Sequence, residues 1–253
     1  MTGSFTRWHL LIFIFIMYAI WQWKFSIYQI TSVASYKLKY MVKTFNADKN
    51  QQLPMLIFLH GSGADEKNMV THIEETYQFR NPIRTISFRG PAVSGFGYDW
   101  AFGSGSNSEQ AEKAYSKMLE EVAQSIATST YELVNKFPTS GKPMIMGFSS
   151  GAKLAYYLKF KHSSNFSCIF AINGNLNIAN KNERNIATVG APIFGFHGIN
   201  DTVVPFASGR AAAQTLKDMG FNAQFIEFDG GHEITSSVFR KIESEMVSSG
   251  CNI

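Results

Sequence analysis

A serine with glycine two positions to either side, Gly147-Phe148-Ser149-Ser150-Gly151, lies between a short apolar run, Met144 to Phe148, and a stretch of helical spacing that begins near Ala152. A strand that turns abruptly into a helix needs small residues where the two backbones pass. It also lifts the central hydroxyl, here that of Ser149, clear of the sheet edge. The same five letters also occur in ordinary loops with two glycines. Their weight therefore depends on the rest of the chain.

The rest of the chain alternates strands with helices. Met55 to His60 is a continuous apolar run closed by Gly61-Ser62-Gly63, the pattern of a strand buried on both faces and followed by a tight loop. Further strands are predicted at Thr85 to Phe88, Met144 to Phe148, Cys168 to Asn173, Ile193 to His197 and Ala223 to Phe228. Helical stretches separate them near Ala152 to Phe160 and Ser208 to Met219, and a last helix runs from about Thr235 to Val247. Ser35 to Phe45 alternates, with Tyr36, Leu38, Tyr40 and Val42 on one side, and reads as an antiparallel edge. Ser108 caps a helix that continues, with breaks, to about Phe137 and stops at Pro138. Between Pro91 and Ser108 the glycines and serines, with Phe96, Tyr98, Trp100 and Phe102 among them, read as a long surface loop placed to overhang a site. The expected class is α/β: a mostly parallel central sheet with helices on both faces. At 253 residues and 45% apolar, one domain over 35–253 accounts for it.

Residues 1–34 read differently. Arg7 precedes Leu10 to Trp21, which carries no charge and is apolar on all faces, so the stretch is expected to be a signal peptide or a membrane anchor. The nearest small-x-small site is Ser32-Val33-Ala34, late for cleavage, while an anchor would have to carry Gln22, Lys24 and Gln29. Lys24, Lys37 and Lys39 outnumber Arg7, which keeps the domain cytoplasmic if the segment stays on. The expectation is thus of a membrane-associated or exported protein. Charge elsewhere is sparse, at 17%, and the net +4 is dispersed, so no nucleic-acid footprint is present. Cys168 and Cys251 form neither a disulfide framework nor a metal spacing, and Cys168 reads as a small residue of a buried strand.

In sheets of this kind ligands sit outside the carboxyl ends of the strands. Ser149, Asp201 and His232 each follow a predicted strand there, in the order Ser, Asp, His. A serine hydroxyl is a poor nucleophile at neutral pH, so an imidazole must take its proton as it attacks; His232 is the candidate, with His60 and His197 as rivals. An acid behind the imidazole sets its tautomer; Asp201 is the candidate, with Asp229 as rival. Ser150 lacks the flanking glycines of Ser149, but its backbone amide, with that of Ser62, suits an oxyanion hole, each donor being worth roughly 10² to 10³ in rate. Trp100 is a candidate substrate-lining residue. His72 and His162 read as surface residues. No metal and no organic cofactor is expected.

Five blocks together resemble the phospholipase/carboxylesterase family of α/β hydrolases, which includes the acyl-protein thioesterases. They are Leu59-His60-Gly61-Ser62-Gly63, Arg89-Gly90-Pro91 leading to Trp100, Gly147 to Gly151, His197 to Pro205, and Gly231-His232-Glu233-Ile234. The resemblance covers roughly residue 50 to the end and implies Ser149 as nucleophile, Asp201 as acid, His232 as base, and Ser62 and Ser150 as oxyanion donors. Ser150 stands where the family commonly has glutamine, and many members lack a hydrophobic leader. The expected activity is carboxylic ester hydrolysis on a small-molecule or lipid-like ester. Lysophospholipase, acyl thioesterase or peptidase action and a non-catalytic ligand binder of the same fold are the alternatives.

Overall fold

The computed structural model describes residues 29–30, 36–102, 108–176 and 192–251. The apolar run at 10–21 and the site at 32–34 lie outside these residues. Ten strands are described: β1 (Gln29–Ile30), β2 (Lys39–Phe45), β3 (Met55–Leu59), β4 (Ile83–Phe88), β5 (Ala92–Ser94), β6 (Gly97–Asp99), β7 (Met144–Phe148), β8 (Ile169–Ile172), β9 (Ile193–Gly198) and β10 (Ala223–Phe228). The α-helices among the described residues are α1 (Glu66–Thr76), α2 (Glu109–Lys136), α3 (Ser150–His162), α4 (Phe206–Asp218) and α5 (Ser236–Ser248).

Eight strands form one sheet in the order β1-β2-β4-β3-β7-β8-β9-β10. Every pairing from β4 to β10 is parallel, while β2 runs antiparallel to β4 and to β1. The expected antiparallel strand is therefore present, with β1 outside it at the edge. Because successive side chains of a strand point to opposite faces, the fully buried run of β3 serves both layers. Met55, Ile57 and Leu59 join the cluster under α2, α3 and α4, and Leu56 and Phe58 join the one under α1 and α5. Each such side chain contributes about 1.5–3 kcal/mol relative to exposure.

Three local expectations change. The helix from Glu109 is unbroken to Lys136, because Leu119, Val122, Ala123, Ile126 and Leu133 pack on the sheet and override weak propensity at the serines and threonines between them. The surface loop after Pro91 contains the hairpin β5–β6, turning at Gly95 with φ 58°. Helix α1, which the sequence pattern does not announce, buries only Met69, Val70, Ile73 and the Glu66 side chain, and starts at a capping box between Asp65 and Asn68.

The cysteines also need correction. Cys168 is not an isolated core residue: it is disulfide-bonded to Cys251 across 83 residues, with Cα atoms 5.6 Å apart. The bond joins the start of β8 to the segment just after α5. Nothing in the spacing of two distant cysteines reports that the fold brings their Cβ atoms together. No helix among the described residues is long and apolar enough to cross a membrane.

Candidate active site

Strand β7 hands over to α3 through Ser149, whose φ of 55° and ψ of −116° place a side-chain-bearing residue where such conformations cost on the order of 1–3 kcal/mol. The turn is held by the backbone on both sides. Ser149 donates its N–H to the Ile172 carbonyl (2.9 Å), and its own carbonyl receives the Ala152 N–H (3.0 Å). Glycine is required at both flanks. A Cβ on Gly147 would lie 2.2 Å from the Gly151 carbonyl oxygen, and one on Gly151 would lie 2.1 Å from that of Leu59.

The Ser149 hydroxyl meets His232 Nε2 at 2.9 Å, and His232 Nδ1 meets Asp201 Oδ2 at 2.8 Å. The second Asp201 oxygen accepts the N–H groups of Val203 (2.8 Å) and Val204 (2.9 Å). Burial alone would push the Asp201 carboxyl up; the hydrogen bonds from His232, Val204 and Val203 outweigh it and leave the group below the usual carboxylate range. An ionised carboxylate opposite Nδ1 keeps the proton on that nitrogen, so Nε2 presents a lone pair to the Ser149 hydroxyl. The His232 ring also packs against Phe148, with ring centroids 4.9 Å apart.

The rival residues serve elsewhere. His60 is buried, and its Nδ1 donates to the Gly61 carbonyl (2.8 Å) while its Nε2 accepts the Gly90 N–H (2.9 Å); burial holds its pKa down, which matches a neutral, structural ring. His197 Nε2 donates to the Val204 carbonyl at 2.9 Å and lies 3.4 Å from Asp201 Oδ2, so it packs behind the acid. Asp229 is exposed and takes only a long contact from Asn200 Nδ2, at 3.4 Å. Ser150 Oγ is buried without a hydrogen-bond partner among the described residues, so it does not bond to His232.

Ser62 and Ser150 sit beside the Ser149 turn. A Cβ on Gly61 would lie 3.3 Å from Ser149 Cβ, so the loop carrying the Ser62 amide runs alongside it. The Ser150 amide opens α3, where the N–H groups of the first turn have no intrahelical acceptor. Trp100, expected to line substrate, is placed in the core. It is fully buried, donates its indole N–H to the His60 carbonyl (2.8 Å) and packs on the His60 ring at 4.7 Å. An indole needs a buried acceptor for its N–H as well as apolar cover, and the strand end at His60 supplies it. The ring therefore braces the loop from behind.

Other residues of the site have no local sequence signal. Asn173, with φ 52°, donates Nδ2–H to the Gly231 carbonyl (2.7 Å) and accepts the Gly198 N–H (3.1 Å), tying the His232 loop to β9. His72, read as a surface residue, bonds through Nε2 to the Ile234 carbonyl at 2.7 Å. Arg89 pairs with the buried Glu66 through Nε (2.5 Å) and Nη2 (2.6 Å), fastening the start of α1 to the end of β4. Among the described residues no group of three or more His, Cys, Asp or Glu side chains could hold a metal.

A profile of the phospholipase/carboxylesterase family matches residues 42–247. An acyl-protein thioesterase 1 homolog from Dictyostelium discoideum is 27% identical over 191 residues, covering 70% of this chain and 82% of that one. Among solved structures, a carboxylesterase from Mesorhizobium loti superposes with a TM-score of 0.68 at 15% identity, over 87% of this chain and 99% of that one. The acyl-protein thioesterase 2 of Zea mays superposes with a TM-score of 0.65 at 19% identity, over 82% and 97%. At such identities the structural matches speak for the fold alone, which is that of the α/β hydrolases.

Proposed function

This chain belongs to the phospholipase/carboxylesterase family, and from that premise we propose that it cleaves carboxylic esters through an acyl-enzyme on Ser149. The hydroxyl attacks the ester carbonyl carbon as its proton passes to His232 Nε2, and Asp201 stabilises the imidazolium. The carbonyl oxygen gathers the negative charge and is met by the Ser150 and Ser62 amides. Collapse breaks the bond to the alcohol, which leaves with the proton from His232. A water, deprotonated by the same ring, then releases the acid. The reading is carried by one observation: three side chains far apart in sequence meet at 2.9 Å and 2.8 Å over a strained strand-to-helix turn.

Ser149→Ala is expected to lower p-nitrophenyl acetate turnover by about 10⁶. A fluorophosphonate probe should label the unmodified chain and not this variant. Near-normal turnover by the variant, or absence of labelling on folded protein, would remove the assignment. The thioesterase name of the Dictyostelium relative makes acyl thioesters the competing substrate, and parallel rates on matched ester and thioester pairs decide between them. The Cys168–Cys251 disulfide supports a working location that is oxidising, in line with the apolar run at 10–21 acting as an export signal and not as an anchor that leaves the domain cytoplasmic. Free thiols at both positions in protein from its native source would contradict that location.

A further inference from the structure

The site has a cavity of about 320 Å³ on its α1 side, walled by Ala64, Met69, Phe148, His232, Glu233 and Ile234. His232 borders it, as do His60 and Gly61 of the loop before Ser62; Ser149, Ser62 and Ser150 are not among its walls. We propose that this cavity seats the departing alcohol of the ester, and that the alcohol it takes is uncharged and apolar, with room for a substituent larger than one aromatic ring. The proposal rests on the ester-hydrolase reading given above.

The direction follows from the chemistry of the ring. In the tetrahedral intermediate His232 Nε2 must hand its proton to the leaving oxygen, so the substituent on that oxygen lies on the His232 side, while the acyl carbon stays on Ser149. A cavity that touches the proton donor but neither the nucleophile nor the oxyanion amides is placed for that substituent. Its volume is at the small end of the roughly 300–1,000 Å³ of ligand pockets. Two of its polar wall atoms are already engaged. Asn68 Oδ1 accepts the Asp65 N–H at 2.7 Å, and His72 Nε2 is bonded to the Ile234 carbonyl at 2.7 Å. The remaining surface, from Ala64, Met69, Phe148 and Ile234, is apolar. At the rim Glu233 is exposed, its Oε1 accepting the Gly231 N–H at 3.3 Å. Its carboxylate lies well within a Debye length of about 8 Å of an occupant, so it opposes an anionic alcohol such as a glycerophosphate.

Three acetate esters test this: methyl, benzyl and 4-carboxybenzyl acetate. Filling the cavity with Ala64→Leu, at a half-buried position, or with Met69→Trp should lower the benzyl-to-methyl ratio of kcat/KM by about tenfold or more. The ratio of methyl hexanoate to methyl acetate should move little. Glu233→Gln, an exposed substitution, should raise 4-carboxybenzyl over benzyl acetate several-fold at low salt and less at high salt. An unchanged alcohol ratio in Ala64→Leu, or an acyl-length ratio that moves in its place, would overturn the assignment of this cavity while leaving the esterase reading intact. An unmodified chain that hydrolyses none of these esters and takes no fluorophosphonate would overturn both.

Discussion

At the Ser149 turn the restraints are backbone contacts within the turn and with the two adjoining strands. Gly147 lets the β7 and α3 backbones pass, Gly151 lets α3 close on the Leu59 carbonyl of β3, the adjoining strand β8 accepts the Ser149 amide, and the helix that follows takes its carbonyl. At the His232 loop they come from far along the chain. Asn173 grips Gly231 from 58 residues away and His72 grips Ile234 from 162 residues away. Helix α5, which continues the loop, is held by buried Glu243, whose carboxylate accepts from the Tyr77 hydroxyl and from the N–H groups of Arg80 (2.7 Å) and Asn81 (3.1 Å). Beyond the helix Cys251 is bonded to Cys168. The Ser149 hydroxyl is thus held by its turn and the two strands that flank it. The His232 ring depends on the sum of several long-range ties, each of which can be cut without touching the ring or the Ser149 hydroxyl.

Removing the acid beside His232, and then the ties that hold its loop, separates orientation of the ring from support of the loop. Asp201→Asn removes the group that sets the His232 tautomer and should lower kcat by about 10⁴, with fluorophosphonate labelling slowed in proportion. A loss of less than about tenfold would mean that the loop orients the ring without the acid. Replacing both cysteines by serine releases a constraint that spans 83 residues, worth about 4.5 kcal/mol in the chain-entropy account, so the melting temperature should fall by roughly 10 °C or more. Hydrogen exchange in that variant should quicken over 231–248 and hold steady over 144–158. A uniform increase would erase the distinction between the two regions. Asn173→Ala strands the Gly198 N–H and the Gly231 carbonyl. It should cost about 1–3 kcal/mol in denaturant unfolding, and a variant as stable as the parent would show that the loop does not lean on this residue.

The same contrast separates what was legible in the amino acids from what was not. The strand at Met144–Phe148 announced itself by an unbroken apolar run, and the turn after it by glycines whose spacing has a steric cause. The loops carrying Asp201 and His232 could be placed at strand ends because the alternating pattern implies a parallel sheet. The burial of Trp100 has no such signal. Among glycines and serines an aromatic looks like a loop residue, yet here it is fully buried behind His60. His72 was read as a surface residue because α1 is short and mostly polar, and only the approach of Ile234 gives its ring a partner.

By itself the sequence determined the α/β alternation, the glycine-flanked serine turn and the chain order of the three strand-end side chains, because periodicity and backbone sterics act over a few neighbouring residues. Only the tertiary structure decided that Cys168 and Cys251 are joined, that Asn173, His72 and Glu243 carry the His232 loop, and that a small apolar cavity opens beside its ring. Those features depend on which distant segments the sheet order brings side by side, and no local pattern of residues encodes that.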